Sequence, residues 1–335
     1  MKKIINAPEE VVSQTLDGFL ASGLGMYERA AEGIQGVRLA ETKDKVALVI
    51  GGGSGHEPMF GMFLGDNLAD AAACGNIFAS PDPNTILQTV MSVEKGKGAL
   101  LVYGNYAGDN LNFDMAAELL EDMGVQTRTV RVWDDVASAP KDRISDRRGI
   151  AGDVFVIRVA GASTAAGLSL EEAYRVTAKA RDNTFTLGVA LSGGTIPGED
   201  KPSFTLPEDE IEFGMGVHGE KGIKRVPLQP ADEIVDTLTD LILADSGIGR
   251  GDRVCTLVNG LGSTTLAELY IMNGRLAKKL EEEGVIIHSM DVGSYITCQE
   301  MAGASITLMR LDDELEAYMD KPCSGPHYSR GRVYG

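Results

Sequence analysis

Two short apolar runs lead directly into glycine-rich turns, and this pattern constrains the fold more than any other feature of the sequence. Val46–Ile50 leads into Gly51–His56, and Ala99–Tyr103 leads into Asn105–Asp109. A strand that is apolar throughout must be covered on both faces, as in a parallel sheet between two layers of helices. Ligands of such folds bind in the crevice beyond the strand ends. The two turns are therefore the first candidates for a functional site.

The rest of the N-terminal half predicts strands that alternate with helices, which favours a three-layer α/β domain with a parallel sheet. The sequence Ser169-Leu170-Glu171-Glu172 is a capping box, with Ser169 as N-cap. The further elements that we predict here are helices over 9–24, 113–123 and 170–181 and strands over 125–132 and 154–159.

The pattern changes after Asp182-Asn183, where we place a domain boundary: residues 1–183 form one domain and 184–335 the other. In the second half a long loop that contains Gly and Pro, 193–207, separates two of the predicted strands. The predicted elements are strands over 185–191, 211–217, 254–258, 285–288 and 305–311 and a helix over 264–283. They indicate a second α/β domain with a mixed sheet.

Composition excludes several classes of function. The 335 residues carry a net charge of −18, whereas a nucleic-acid-binding protein needs a basic surface. The same charge disfavours an anionic membrane surface. The first residues lack the apolar run of a signal peptide, and no stretch approaches the length of a membrane span. We therefore expect a cytoplasmic protein with no nucleic-acid or membrane partner.

The four cysteines, Cys74, Cys255, Cys298 and Cys323, show no close pairing in the sequence. Disulfide frameworks and zinc sites need cysteines at short, regular spacings. We expect reduced, mostly buried thiols and no metal site.

The turn Gly51–His56 invites a nucleotide-binding interpretation, which its residues do not support. It spells G-x-G-x-x-H, whereas the dinucleotide fingerprint requires a third glycine at the position of His56, and it lacks the Lys-Ser or Lys-Thr of a P-loop. A row of backbone N–H groups beside an imidazole instead suits a small polyol or carbonyl compound. A nucleotide-dependent oxidoreductase is therefore disfavoured.

Only four histidines are present, and two of them lie between or beside glycines in turns that follow predicted strands: His56 and His218. A neutral imidazole is a competent nucleophile toward an unhindered carbonyl. Glu220 is placed to orient His218 or to raise its basicity. The alternative is a histidine that only binds its own loop. We expect His288, within an apolar strand, to be structural and His327 to be solvated.

Asp109 ends the second turn and has two possible roles. A carboxylate near a helix start often serves only as an N-cap, and Asp114 is the better capping candidate. The case for catalysis by Asp109 depends on His56, Asp109 and His218 all lying in turns at strand ends.

Four segments together resemble one family, the substrate-binding subunits of dihydroxyacetone kinases, over nearly the whole chain. They are Gly51-Gly52-Gly53-Ser54-Gly55-His56-Glu57-Pro58, Asn105-Tyr106-Ala107-Gly108-Asp109 with Asn112-Phe113, Lys201-Pro202-Ser203-Phe204-Thr205-Leu206, and Gly216-Val217-His218-Gly219-Glu220.

The resemblance implies a role for each candidate residue. His218 forms a hemiaminal with the carbonyl of a short ketose, and His56 acts as acid and base in that addition. Asp109 takes the proton of the hydroxyl that attacks the phosphate. The backbone of three residues contacts the sugar: Gly53, Ser54 and Gly55.

The resemblance also implies partners, because this sequence contains no recognisable nucleotide site. We expect ATP, or ADP, with magnesium on a separate kinase subunit, which is served either by ATP directly or by a phosphoenolpyruvate-dependent phosphocarrier. A homodimer is expected on the same ground. The alternative function is a ketose-sensing co-regulator of transcription, which would need the hemiaminal but not the base.

One departure from the family concerns the residue before Asn105. Relatives usually have lysine there, and this chain has Gly104. Glycine removes both charge and bulk, so a four-carbon ketose such as erythrulose competes with dihydroxyacetone as the expected substrate.

Overall fold

A computed structural model describes residues 2–216 and 219–331, which divide into two compact units. The N-terminal unit contains Lys2–Val132, Phe155–Ala180 and the chain from Leu315 onward, and the C-terminal unit contains Trp133–Val154 and Arg181–Glu314. The chain thus passes into the C-terminal unit near the boundary expected at 183/184. Two segments, however, belong to the unit on the other side of that boundary: Trp133–Val154 and the chain from Leu315 onward. The domain assignment itself stays a prediction.

The N-terminal unit is built on a six-stranded sheet in the order β1-β2-β4-β3-β5-β6. The four strands β4, β3, β5 and β6 are parallel, and β2 and β1 extend the sheet antiparallel. The strands are β1 (Tyr27–Arg29), β2 (Gly36–Leu39), β3 (Ala47–Ser54), β4 (Ala71–Ile77), β5 (Ala99–Gly104) and β6 (Thr127–Val132).

Both faces of this sheet are covered, as the apolar runs predicted. Val49 and Leu101 pack on one face against side chains of α2 (Pro83–Met91) and α3 (Ala107–Asp122). Their neighbours in the strands, such as Leu48, point to the opposite face and are also fully buried. The predicted three-layer arrangement with a parallel sheet is therefore confirmed.

The strand predicted over 154–159 is wrong, because these residues belong to a helix, α4 (Asp153–Ala165). Val154, Phe155 and Ile157 are fully buried. A short apolar run fits a helix buried all round as well as it fits a buried strand, and periodicity cannot separate the two.

The helix after β5 begins at Ala107 rather than near Phe113, so Asp109 lies in its first turn. The N-cap is Tyr106, whose extended backbone starts the helix without a capping side chain. The predictions of Asp109 or Asp114 as N-cap are therefore wrong. Asp114 instead binds Arg131, whose Nη2 donates to both carboxylate oxygens at 2.6 and 2.7 Å.

The C-terminal unit contains a second six-stranded sheet, in the order β11-β10-β12-β7-β8-β9. Among the described strands of this sheet, only β10 and β11 pair in parallel, so the predicted mixed sheet is confirmed. Helices α6 (Ala231–Ser246) and α7 (Leu266–Glu283) pack against it. The strands are β7 (Thr184–Ser192), β8 (Glu210–Phe213), β9 (Lys224–Pro227), β10 (Arg253–Gly260), β11 (Ile286–Gly293) and β12 (Ala302–Leu311).

The remaining elements are shorter or lie outside the two sheets. They are α1 (Val11–Ser22), α5 (Leu170–Asp182), α8 (Asp313–Met319), 3-10 helices at Pro8–Glu10 and Lys141–Asp146, and a small hairpin of β13 (Cys323–Ser324) and β14 (Ser329–Arg330). The predicted N-cap of α5 is confirmed, since Ser169 Oγ accepts the Glu172 N–H at 3.3 Å. Across the described part of the chain, no helix has the length and apolar character that a membrane crossing requires.

Candidate functional site

The carboxyl ends of β3 and β5 form a topological switch point. In the sheet, β4 lies on one side of β3 and β5 on the other, and the chain runs from β3 to β4 and then through α2 to β5. The connection that leaves β3 runs to β4 on one side, whereas the strand that follows β5 in the chain, β6, lies on the other side. Because the two connections diverge, a crevice opens at the carboxyl ends of β3 and β5. His56 follows β3, and Asp109 follows β5. Two of the three predicted catalytic residues thus flank one crevice of the N-terminal unit.

The glycines extend β3 rather than ending it, so the strand runs to Ser54 and not to Ile50 as predicted. A Cβ on Gly51 would lie 2.6 Å from the Ala73 carbonyl oxygen, and one on Gly53 would lie 2.9 Å from the Ala79 nitrogen. The backbone turns only at Gly55, where φ is +99°. Gly51 and Gly53 thus let neighbouring backbone segments pack closely, and Gly55 allows the turn that follows.

The backbone and side chain of Ser54 and Gly55 already bind neighbouring groups. Ser54 Oγ donates to the Gly75 carbonyl at 2.7 Å, and the Ser54 carbonyl accepts the Phe78 N–H at 2.8 Å. The Gly55 N–H points at the Glu57 carboxylate, 3.0 and 3.1 Å from its two oxygens. Burial raises the pKa of Glu57, while hydrogen bonds from the backbone oppose the rise. Glu57 therefore fixes the loop that precedes His56.

The His56 side chain is shielded from solvent, with 4% of its surface exposed. Its ring centroid lies 5.1 Å from that of Phe78, and the two rings are inclined by 38°. Its carbonyl accepts the Met59 N–H at 3.1 Å. An imidazole held in a fixed, dry setting at a strand end is suited to proton transfer.

Asp109 is buried in the first turn of α3, where the helix macrodipole favours negative charge. The loop that leads to it is tied by Asn110, whose Nδ2 donates to Asn105 Oδ1 at 2.8 Å. Beneath the turn the rings of Tyr103 and Phe113 stack, with centroids 4.1 Å apart. The backbone that carries Asp109 is thus held by the helix start and by these contacts, which suits its carboxylate to act as a base.

His218 and Val217 lie outside the described residues, but the chain on either side of them is described. The predicted strand 211–217 ends at Phe213, because Gly214 takes a φ of +73°. The Gly216 N–H then donates to the Glu220 carbonyl at 3.1 Å, and the Gly219 N–H to the Gly216 carbonyl at 3.0 Å. These two hydrogen bonds join the described residues before and after position 218. We call residues 214–216 and 219–220 the 214–220 turn.

The other two histidines lie on the surface. His288 is in β11, as predicted, but this is an edge strand and the side chain is exposed. His327 is exposed, as predicted. All four cysteines are buried thiols outside any disulfide, which confirms the prediction of core thiols. Among the described residues, no group of three or more His, Cys, Asp or Glu side chains could hold a metal ion.

Comparison with known proteins decides the family. A model of the Dak1 domain matches residues 18–327. This chain belongs to the dihydroxyacetone kinase family. The dihydroxyacetone-binding subunit of a PTS-dependent dihydroxyacetone kinase from Listeria innocua is 43% identical over 98% of this chain and 99% of its own length. Since its relatives are kinases, the chain is classed as a phosphotransferase.

Other relatives are longer or act differently. The L-erythrulose 1-kinase of Mycolicibacterium smegmatis is 40% identical, and the match covers 99% of this chain but 59% of that enzyme. The crystal structure of the dihydroxyacetone kinase of C. freundii superposes with a TM-score of 0.89 at 32% identity, over 98% of this chain and 60% of that one. A co-activator of a dihydroxyacetone kinase operon superposes with a TM-score of 0.87 at 29% identity, over 95% of this chain and 97% of that one.

The sequence interpretation did not assign Glu57 or Arg148 a role. Glu57 stands within the quoted octapeptide, and its spacing from Gly55 fits a local carboxylate-to-backbone contact. Arg148 contacts residues at positions 135, 214 and 220. No pattern in the sequence joins positions so far apart.

We expect Glu57→Ala to loosen the glycine-rich loop. The substitution leaves the Gly55 N–H without its carboxylate acceptor, which typically costs about 1–3 kcal/mol when the donor is buried. Hydrogen-exchange mass spectrometry should therefore show faster exchange in a peptide that covers residues 51–58, and Glu57→Gln, which keeps one acceptor oxygen, should show a smaller change.

The matched control is Glu94→Ala. Glu94 makes the same kind of contact elsewhere in the N-terminal unit, accepting the Gly98 N–H at 2.8 Å. This variant should speed exchange near residue 98 and leave 51–58 unchanged. Equal protection of 51–58 in Glu57→Ala and the parent protein would contradict the role given to Glu57.

Proposed function

We propose that this chain is the ketose-binding subunit of a dihydroxyacetone-type kinase, which holds dihydroxyacetone or a similar short ketose for phosphorylation. The observation that carries the proposal is the placement of two buried groups that can transfer protons, His56 and Asp109, on either side of one switch-point crevice. The match to a dihydroxyacetone-binding subunit over nearly its whole length supports the substrate class.

In this proposal the substrate is bound covalently. A nitrogen of His218 attacks the ketose carbonyl carbon, and a carbon–nitrogen bond forms as the carbonyl π bond breaks. His56 delivers a proton to the resulting oxygen, water takes the N–H proton that the His218 imidazole gives up, and the product is a neutral hemiaminal. The same steps in reverse release the sugar. A covalent bond that needs a carbonyl would reject glycerol and other polyols that lack one.

Asp109 serves the second step of the proposal. It accepts the proton of the ketose hydroxyl as that oxygen attacks phosphorus, while the phosphate leaves its donor. The N-terminal end of a helix favours negative charge in its first turn, and a carboxylate placed there can accept this proton. The backbone of three residues would hold the sugar oxygens: Gly53, Ser54 and Gly55.

The phosphate donor is assigned to a partner subunit, which carries ATP or ADP with magnesium. The support is the Listeria relative, whose name describes a subunit of a PTS-dependent enzyme and whose length this chain matches. That name also supports a phosphoenolpyruvate-dependent phosphocarrier that acts through the partner. A homodimer and a cytoplasmic location are part of the same proposal.

Covalent capture should depend on His218 and on a carbonyl. Intact-protein mass spectrometry with dihydroxyacetone should show an adduct that is lost in His218→Ala, because the nucleophile is gone, and glycerol should give none. His288→Ala and His327→Ala are matched controls, since both side chains are exposed, and both should keep the adduct. An adduct that survives in His218→Ala would show that another residue is the nucleophile.

Asp109→Asn should separate capture from phosphoryl transfer. The adduct should form normally, while turnover with the partner subunit falls about 10²- to 10⁴-fold, the usual effect of losing a general base. Asp114→Asn, on the same helix, is the control and should keep turnover. If Asp109→Asn no longer forms the adduct, Asp109 is a binding residue instead.

The same experiment tests the alternative, a ketose-sensing co-regulator, which the structural match to an operon co-activator supports. A sensor would form the adduct on His218, but adding a nucleotide-binding kinase subunit would then produce no phosphorylated ketose. Turnover that depends on Asp109 decides for the kinase subunit.

Gly104 suggests a preference for a four-carbon ketose. It is the buried last residue of β5, directly before Asn105, and the L-erythrulose 1-kinase match supports a longer substrate. One extra carbon group in a fitted pocket is worth about 10- to 200-fold in specificity. We expect competition assays to favour erythrulose, and Gly104→Lys to weaken erythrulose more than dihydroxyacetone. A clear preference for dihydroxyacetone with no effect of Gly104→Lys would contradict this.

A further inference from the structure

We propose that Arg148, anchored on Asp135, is a positioning residue that holds the 214–220 turn in the geometry needed for covalent capture by His218. The inference rests on the proposed function, because it concerns the residue that is proposed to carry the ketose. All of the contacts that support it lie within the C-terminal unit.

The anchor is a buried carboxylate. Asp135 is 1% exposed, and its Oδ2 accepts from Arg148 Nε at 3.0 Å and from Nη2 at 2.8 Å. Its other oxygen accepts the Ala137 N–H at 3.1 Å. The Asp135 N–H also donates to the Arg148 carbonyl at 3.1 Å. Side chain and backbone thus hold Arg148 at its base and at its guanidinium.

The neighbouring carboxylate, Asp134, fixes the segment that follows Arg148. Its two oxygens accept the N–H groups of Ile150 at 2.8 Å and Gly152 at 2.7 Å. A Cβ on Gly152 would lie 2.5 Å from the same carboxylate, so the loop approaches as closely as a glycine allows. Arg148 therefore projects from a loop that is tied on both sides.

From this anchor the guanidinium reaches both ends of the 214–220 turn. Nη2 donates to the Gly214 carbonyl at 3.3 Å, and Nη1 lies 3.7 Å from Glu220 Oε2. The turn is closed between these contacts by the hydrogen bond from Gly216 to Glu220. A planar guanidinium with five donors suits this task, since it can bind a carboxylate, a carbonyl and a second carboxylate at once.

Two glycines show how tightly the turn is held. A Cβ on Gly216 would lie 2.5 Å from Arg148 Nη1 and closer still to the Glu220 carboxylate. A Cβ on Gly219 would lie 2.9 Å from the Phe204 ring. The residues on either side of His218 therefore rest against Arg148 and against Phe204, in the loop 193–207.

The charges are balanced within the cluster. The Arg148 side chain is 15% exposed, and two carboxylates, Asp135 and Glu220, face it. Burial raises the pKa of Asp135 to about 6, against the opposing effect of Arg148 and with a contribution from Asp134. A pH of 7.5 lies above this value and favours the ionised carboxylate that pairs with Arg148. A buried ion pair contributes little to the free energy of unfolding, because removing both charges from water is costly. Fixing a nucleophile in its reactive position, by contrast, can raise a reaction rate strongly.

The test is the rate of adduct formation with dihydroxyacetone at pH 7.5, followed by intact-protein mass spectrometry. Arg148→Ala should slow the adduct about 10²-fold, the effect of a small misplacement of a reacting group. The rate of adduct formation in Arg148→Lys should lie between those of the parent protein and Arg148→Ala, because lysine keeps the charge but lacks the planar, bidentate donors of the guanidinium. Guanidinium ion at a concentration below its denaturing range should restore part of the rate in Arg148→Ala, which a general loss of stability would not produce.

The matched control is Arg275→Ala. Arg275 is 17% exposed in the same unit and binds Asp236 at 2.6 Å and Glu282 at 3.0 Å, away from the turn. The Arg275→Ala variant should unfold at a lower urea concentration than the parent protein but form the adduct at the parent rate. Should Arg148→Ala fail to fold, Arg148→Lys against Arg275→Lys gives the same comparison.

The outcomes separate the two proposals. If His218→Ala abolishes the adduct and folded Arg148 variants form it at the parent rate, the positioning role is wrong and the proposed function stands. If His218→Ala still forms the adduct, the nucleophile is misassigned and the positioning role falls with it. Slowing in the Arg148 variants, with guanidinium rescue and a normal Arg275 control, supports the inference.

Discussion

The parallel pairing of β3 with β5 is the constraint from which the candidate site follows. These two strands are the inner pair of the four parallel strands in the first sheet, and the connections that follow them leave in opposite directions. Parallel strands place their carboxyl ends at the same edge, so the residues after β3 and β5 become neighbours of one crevice. His56 and Asp109 owe their placement to this pairing more than to any contact that they make.

The pairing of β3 with its other neighbour imposes a second demand, on side-chain size. Gly51 pairs with Ala73 in β4, and a Cβ at Gly51 would meet the Ala73 carbonyl. Small residues on both strands therefore let the backbones and the covering helix approach closely. The glycine-rich segment has two roles in sequence: it packs as a strand through Ser54, and it turns at Gly55 to present His56.

This dual role explains what could be predicted from the sequence and what could not. Strands β3 and β5 were predictable because continuous apolar runs leave few alternatives to a covered parallel strand. Strand β4 was missed because Ala71-Ala72-Ala73 has low strand propensity, and tertiary packing overrides propensity there. The run 154–159 was misread because burial on every side of a helix erases its period. Candidate site residues were predictable where they sit in local motifs, whereas Arg148 depends on contacts made only after folding.

Both loops of the candidate chemistry are held by charged side chains, and the physical reason is shared. A loop at a strand end has backbone N–H and carbonyl groups that no ladder satisfies. Glu57 accepts the Gly55 N–H before His56, and in the 214–220 turn Arg148 donates to the Gly214 carbonyl and faces Glu220. Apolar packing alone would leave these groups unpaired. Because each holding residue has the charge that the backbone group requires, the loops gain rigidity while they keep their glycines.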